Sequence, residues 1–305
     1  METEFVRWLR DRVPTHSSLL LGPGDDAAIL QWQHDANCVV TTDLLTDQVD
    51  FDVQVTPLEK VGRKALAVNL SDLAAMAAKP VAIVISLALP RHQALKTAQQ
   101  IYEGLLPLAS EWAVAVAGGD TNCWNGPLAI SVTAIGQVTA AGVLRRDGAV
   151  AGDQILVTGE FGGSILGKHL DFNPRVSEAL YIRNQFEVHA GMDVSDGLSL
   201  DLFRMMTESG CGAELDLAAI PIADAAHELA KSTDFVKTPL QHALADGEDF
   251  ELVIALPPAE AERLLAQPPD SVPVTRIGHC TEQPGLYGVD DSGQRAKLSP
   301  AGYTH

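Results

Sequence analysis

The sequence predicts a two-domain protein of mixed class, α+β or α/β with α+β favoured, and three observations carry that reading. Candidate strands and helices mix along the whole chain without strict βαβ alternation. The 305 residues suit two domains at about 150 residues each. Near the middle, Arg145-Arg146-Asp147-Gly148-Ala149-Val150-Ala151-Gly152-Asp153 is polar and glycine-bearing, and a fresh strand follows it. The expected domains are therefore 1–147 and 148–305.

The elements follow in order. Residues 5–13 predict a short amphipathic helix with Phe5, Trp8 and Leu9 on one side. Residues 38–42 form a short β-branched strand expected to deliver Asp43 at its end. From Pro57 to about residue 78 the pattern is helical, with proline in the first turn and Lys79-Pro80 closing the segment. Within it Val61, Ala65, Val68, Asp72 and Met76 share a face, which puts Asp72 among apolar side chains. A charge there requires a metal, a cation or a hydrogen-bond cage. A buried strand over 81–89, a helix over 93–112, a strand over 113–117 ending at a Gly118-Gly119-Asp120 turn and a strand over 128–138 come next. The second half predicts strands at 154–158, 213–217, 250–256 and 274–277, with helices at 163–170, 177–188, 199–209 and 259–266. No internal repeat is apparent.

The charge balance narrows the function. Lys and Arg number 21 against 40 Asp and Glu, a net charge of −19, which disfavours nucleic acid and anionic membranes as partners. No run reaches the about 20 apolar residues of a membrane helix, and the charged first ten residues do not resemble a signal peptide. Cys38, Cys123, Cys211 and Cys280 lie far apart and read as reduced thiols. The expected compartment is the cytoplasm.

Aspartates beside Gly, Ser and Thr recur at or just past the ends of apolar stretches: Gly24-Asp25-Asp26, Thr41-Thr42-Asp43, Ser71-Asp72, Gly118-Gly119-Asp120 and Asp193-Val194-Ser195-Asp196. Oxygen ligands of this kind suit Mg²⁺, which bridges one or two carboxylates to substrate phosphates. No histidine or cysteine cluster points to zinc or iron. Taken singly, these motifs have structural readings: Gly24-Asp25-Asp26 as a turn, Asp43 as a helix cap, Asp120 as a turn aspartate and Ser195 or Asp196 as a helix cap. For Asp43 and Asp120 alone that reading is the commoner one. Phe161-Gly162-Gly163-Ser164 follows a strand and opens a helix, so its amides are candidates to hold a phosphate, although it lacks the lysine of a P-loop. Asp246-Gly247-Glu248-Asp249-Phe250-Glu251-Leu252 brings several acids into a strand.

In combination these motifs resemble the thiamine-monophosphate kinases, a branch of the superfamily of aminoimidazole ribonucleotide synthetase, selenophosphate synthetase and a hydrogenase-maturation protein. The resemblance runs in order through GDDAAIL from Gly24, TTDLL from Thr41, KALAVNLSDLAAMAAKP from Lys64, GGDTN from Gly118, the Arg145–Asp153 junction, DVSDGLSLDL from Asp193, GEDFEL from Gly247 and the terminal Gly302-Tyr303. It implies a β-rich N-terminal domain that pairs with a second subunit in a homodimer, a C-terminal α/β domain, and ATP in a cleft between domains with several Mg²⁺ along its phosphates. Carried over, Asp26, Thr41, Thr42, Asp43, Asp72, Asp120, Asp193 and Asp196 look like metal ligands. Gly119, Asp120, Arg146 and Ser195 look like nucleotide contacts, with Asp120 and Arg146 catalytic. Glu248 and Tyr303 fall where the family holds thiamine monophosphate, an acid and a ring suited to a cationic thiazolium. The implied reaction is direct in-line transfer from ATP to thiamine monophosphate, giving thiamine diphosphate.

Two places depart from the family pattern. Val49-Asp50-Phe51 stands where a histidine is usual, which makes Asp50 a substrate-side residue, either repelling the acceptor phosphate or facing the cationic ring. The stretch from Gly167 to Arg175 is short, and Arg175 is a candidate cation between Asp50 and the phosphate. Competing readings are a relative acting on another small acceptor and a non-catalytic nucleotide-binding homologue.

Overall fold

The structure, a computed structural model, describes residues 2–21, 29–32, 37–231 and 237–304. It divides into two units, Met1–Leu73 with Ala78–Thr139, and Ala74–Ala77 with Ala140–His305. The polar stretch from Arg145 to Asp153 lies within the second unit.

In the first unit the elements are α1 (Glu2–Arg10), β1 (Leu19–Leu21), β2 (Ile29–Leu30), β3 (Cys38–Thr46), α2 (Leu58–Ala75), β4 (Ala78–Pro90), α3 (Ala94–Glu111), β5 (Ala115–Trp124) and β6 (Ala129–Val138). Strands β1 and β2 pair with each other, and the main sheet has the order β3-β6-β4-β5, with only β4 and β5 parallel. Alternation sets its two faces. Ile83, Ile85, Leu87 and Leu89 of β4 and Ile130, Val132 and Ala134 of β6 are buried on the side that α2 and α3 cover. The other face carries Val40, Leu44 and Val84, all exposed. Helix α1 is held by Phe5, whose ring meets Tyr102 of α3 edge-on at 5.3 Å.

Glycine decides how α2 and α3 cross. A Cβ on Gly104 would lie 1.7 Å from the Glu59 carbonyl oxygen, and one on Gly62 would lie 1.9 Å from that of Ile101. The two backbones therefore touch, and no larger residue fits at either point.

Three expected boundaries change around the predicted ligands of this unit, and the first helix lies at Glu2–Arg10 rather than 5–13. Strand β3 runs on to Thr46, so Asp43 lies within the strand and not at its end. Lys79-Pro80 belongs to β4, because Ala77 turns the chain in the left-handed region (φ 49°) directly after α2. Gly118-Gly119-Asp120 is strand rather than turn: parallel pairing with β4 carries β5 through to Trp124, and Gly119 sits where a Cβ would be 1.9 Å from the Ile85 carbonyl oxygen.

The second unit contains β7 (Gln154–Thr158), a 3₁₀ turn (Ser164–Leu166), α4 (Lys168–Asp171), α5 (Val176–Gln185), β8 (Ala190–Asp193), α6 (Leu198–Ser209), β9 (Gly212–Asp216), a second 3₁₀ turn (Leu217–Ala219), α7 (Asp224–Leu229), α8 (Pro239–Ala245), β10 (Leu252–Leu256), α9 (Pro258–Ala266), β11 (Val274–Thr281), β12 (Gly285–Val289) and β13 (Arg295–Lys297). Its sheet order is β13-β12-β9-β11-β7-β10-β8, antiparallel except where β12 meets β9. Leu198, Leu202, Met205 and Met206 of α6 pack with Ile155, Val157, Val253 and Ile277 in one buried cluster. The mixed class expected from the sequence is what both units show. Among the described residues no helix is long and apolar enough to cross a membrane.

Candidate active site

In the first unit, β3 and α2 bring Thr41, Asp43 and Asp72 together. Thr41 and Asp43 point to the helix-covered face because they are two residues apart on one strand. The Thr41 hydroxyl donates a short hydrogen bond to Asp72 Oδ2. Asp43 Oδ2 is buried with no hydrogen-bond partner. Burial first, then the charges of Asp72 and Asp50, push the Asp43 carboxyl up to about 7. Two carboxylates and a hydroxyl, one carboxylate oxygen orphaned, form an all-oxygen set that a hard cation would satisfy.

The other predicted ligands of this unit are placed differently. Thr42 alternates to the open face, where its hydroxyl donates to the Val132 carbonyl at 3.1 Å and accepts from Thr133 at 3.1 Å. Asp120 is exposed on β5 and accepts the Thr121 amide at 2.8 Å. Asp26 lies outside the described residues. Among the described residues no group of three or more His, Cys, Asp or Glu side chains forms a metal-holding cluster.

Asp50 holds its own turn. Its Oδ2 accepts the Thr46 amide at 2.6 Å, and Lys64, wholly buried on α2, donates to the Asp50 carbonyl at 2.8 Å. Lys64 opens the KALAVNLSDLAAMAAKP stretch, and its spacing from Val61 and Val68 on the apolar face is the signal in the sequence for its burial. The suggested cation Arg175 is committed elsewhere: Nε and Nη2 each donate to Glu251 at 2.7 Å. Burial alone would raise Glu251, but Arg175 and Lys168 hold its carboxyl below the usual range.

In the second unit β8 ends at the buried Asp193, and the loop after it carries Ser195 and Asp196. Asp196 is paired with Arg204, and Asp201 accepts the amides of Asp196 at 2.8 Å and Gly197 at 3.2 Å. Arg204 also donates to Asp201 at 2.8 Å, so one arginine ties the loop to the first turns of α6. Asp201 and Arg204 are not among the predicted site residues, although their i, i+3 spacing on a helix is legible in the sequence. Glu248 and Tyr303 hang from this same loop. The Glu248 amide donates to the Ser195 carbonyl at 2.6 Å, and the Tyr303 amide to that of Asp196 at 2.8 Å. Arg146 is exposed, its carbonyl accepting the Ser209 hydroxyl at 2.9 Å, while its neighbour Arg145 pairs with Asp147.

The Gly162 and Gly163 amides do not stand open for a phosphate. Asp249 Oδ2 takes the first at 2.9 Å and Asp246 Oδ2 the second at 3.0 Å. Two of the acids from the Asp246–Leu252 stretch thus fill the loop whose amides are candidates to hold an anion. This clamp holds Glu248 and Phe250 in the left-handed region at φ 63° and 52°, a strained conformation for residues with side chains.

The sequence matches two families in series, AIR synthase related protein, N-terminal domain, over residues 24–138 and AIR synthase related protein, C-terminal domain, over 150–291. Two such domains with mixed α/β content define the class of the molecule. A thiamine-monophosphate kinase of Rhodopirellula baltica is 42% identical, the match covering 100% of this chain and 97% of the relative. The crystal structure of thiamine-monophosphate kinase from Stenotrophomonas maltophilia K279a is 35% identical with a TM-score of 0.80, covering 95% of this chain and 96% of that one. AaThiL, solved in complex with AMPPCP and TMP, is 25% identical with a TM-score of 0.77, covering 100% and 95%. The chain belongs to the thiamine-monophosphate kinase family.

Proposed function

We infer that this chain phosphorylates thiamine monophosphate with ATP, yielding thiamine diphosphate. The observation that carries the reading is the full-length likeness to thiamine-monophosphate kinases, one of them 42% identical. The acidic groups agree with it. Donor and acceptor phosphates are both anions, and two unit charges about 4 Å apart repel by about 4 kcal/mol at an effective dielectric of about 20. A protein of net charge −19 needs cations to bring them together.

Magnesium is the proposed metal. Thr41, Asp43 and Asp72 would hold it in the first unit, and Asp193 and Asp196 are proposed ligands in the second. When bound, Mg²⁺ neutralises the transferring phosphoryl group and orients its oxygens. The chain's own residues do the rest. Asp43, a carboxyl with a raised affinity for its proton, must give that proton up when a cation arrives. Gly119, Asp120, Arg146 and Ser195 are proposed nucleotide contacts, with Arg146 stabilising charge that develops on the moving group. Glu248 and Tyr303 are proposed for the acceptor, as is Asp50, whose carboxylate also fixes the turn at residues 46–50. The acceptor phosphate is already ionised near neutral pH, so direct transfer needs no general base. Action in the cytoplasm, as a homodimer joined through the open face of the β3-β6-β4-β5 sheet, completes the proposal.

The test is ADP release with and without thiamine monophosphate, at varied Mg²⁺. Acceptor-dependent turnover is expected, and Asp72→Asn or Asp120→Asn should lower it by about 100-fold or more in a folded protein. Full activity in Asp72→Asn would remove the metal assignment, full activity in Asp120→Asn would remove that nucleotide contact, and release without acceptor would remove the kinase reading.

A further inference from the structure

Ser199 is the second residue of α6, where a serine hydroxyl ordinarily bonds its own helix backbone. Here it turns away to the chain's C-terminal segment. Its Oγ donates to the Ala301 carbonyl at 2.9 Å and accepts the Ala301 amide at 3.0 Å, so one hydroxyl closes both polar groups of a single distant residue. Ser199 is 2% exposed, so its hydroxyl has no partner to turn to but Ala301, which lies at the surface. Gly302 then passes so close that a Cβ would lie 2.3 Å from the Asp196 carbonyl oxygen, and the next amide, of Tyr303, donates to that same oxygen at 2.8 Å. The Tyr303 side chain remains 50% exposed.

We propose that Ser199 is a positioning residue that straps the C-terminal segment onto the Asp193–Gly197 loop and so sets the affinity for thiamine monophosphate through Tyr303. The proposal rests on the kinase reading above. Ser195 and Asp196 offer adjacent carbonyls, one to Glu248 and one to Tyr303. The two acceptor-side residues are thereby registered to each other and to the loop bearing Asp193 and Asp196. The doubly bonded Ser199 hydroxyl and the Asp196 carbonyl grip Ala301 and Tyr303, on either side of Gly302, so the hydroxyl fixes the backbone that leads into Tyr303.

The experiment uses the full chain and compares Ser199→Ala with Ser199→Thr, which keeps the hydroxyl, each in wild-type and Tyr303→Ala backgrounds. Hydrogen exchange at the Ala301 and Tyr303 amides reads the strap directly, without any activity. Ser199→Ala should speed that exchange and raise KM for thiamine monophosphate about tenfold, with kcat and KM for ATP within about twofold. Ser199→Thr should restore both, and in the Tyr303→Ala background Ser199→Ala should add nothing further. Unchanged exchange in Ser199→Ala overturns the strap. Faster exchange with unchanged KM, or equal effects on both substrates, overturns its role in acceptor affinity. A wild-type protein inactive towards thiamine monophosphate overturns the kinase reading, and with it the acceptor assignment, while the exchange result still judges the strap.

Discussion

Asp43 and Asp249 are both buried carboxyls pushed up to about 7, yet the structure surrounds them differently. Asp43 faces other acids, so a cation should displace its proton. Calorimetry near pH 7 in buffers of different ionisation enthalpy should show proton release on Mg²⁺ binding, with affinity rising as pH passes the Asp43 pKa. Asp43→Asn should abolish that release; release of the same size in the variant would assign the proton elsewhere. Asp249 is desolvated within the Gly162 and Lys168 clamp. A carboxyl raised from 3.8 to about 7 binds its proton more tightly folded than unfolded, so its contribution to stability is full at low pH. That contribution is lost as pH rises from about 4 towards the folded value. Asp249→Asn should therefore gain on the wild type between about pH 5 and about pH 8 in urea unfolding. A constant difference across that window would contradict the shift.

At the scale of elements, α2 shows what can be read and what cannot. Its 3.6-residue pattern placed Asp72 on the apolar face, and the structure finds it there under the Thr41 hydroxyl. The α2–α3 contact was illegible, because nothing in the sequence says that Gly62 and Gly104 meet carbonyls of the other helix. Gly104→Ala should force the helices apart and cost about 1–3 kcal/mol by overpacking, seen as a lower urea midpoint at unchanged slope. Wild-type stability would mean that the helices separate freely. Other misses share a cause in pairing at long range. Ala190-Gly191-Met192-Asp193 has poor strand propensity and becomes β8 only because β10 pairs with it. The Gly162 and Gly163 amides looked open because Asp246 and Asp249, their acceptors, lie more than eighty residues away. Arg175 looked available for the same reason, its partner being Glu251.

For the whole molecule, the sheet β3-β6-β4-β5 poses a question of what covers its open face. Val40 is 62% exposed and Leu44 63%, with Val84 on the same face two strands away, apolar groups that a second copy would bury. Two copies each of charge −19 repel at long range, so added salt should strengthen the proposed dimer by screening. Strand β3 separates the two tasks by its alternation: Val40, Thr42 and Leu44 face out, whereas Thr41 and Asp43 face α2. Leu44→Asp places a carboxylate in the middle of the open face without touching the oxygen cluster. Sedimentation should then give the 32.4 kDa monomer at micromolar concentration, where the wild type sediments as a dimer. Proton release on Mg²⁺ binding should survive in that monomer, because Asp43 and Asp72 lie on the opposite side of the sheet. A variant that still dimerises would put the interface elsewhere, and one that becomes monomeric but loses the release would show that the partner is needed to hold β3 in place.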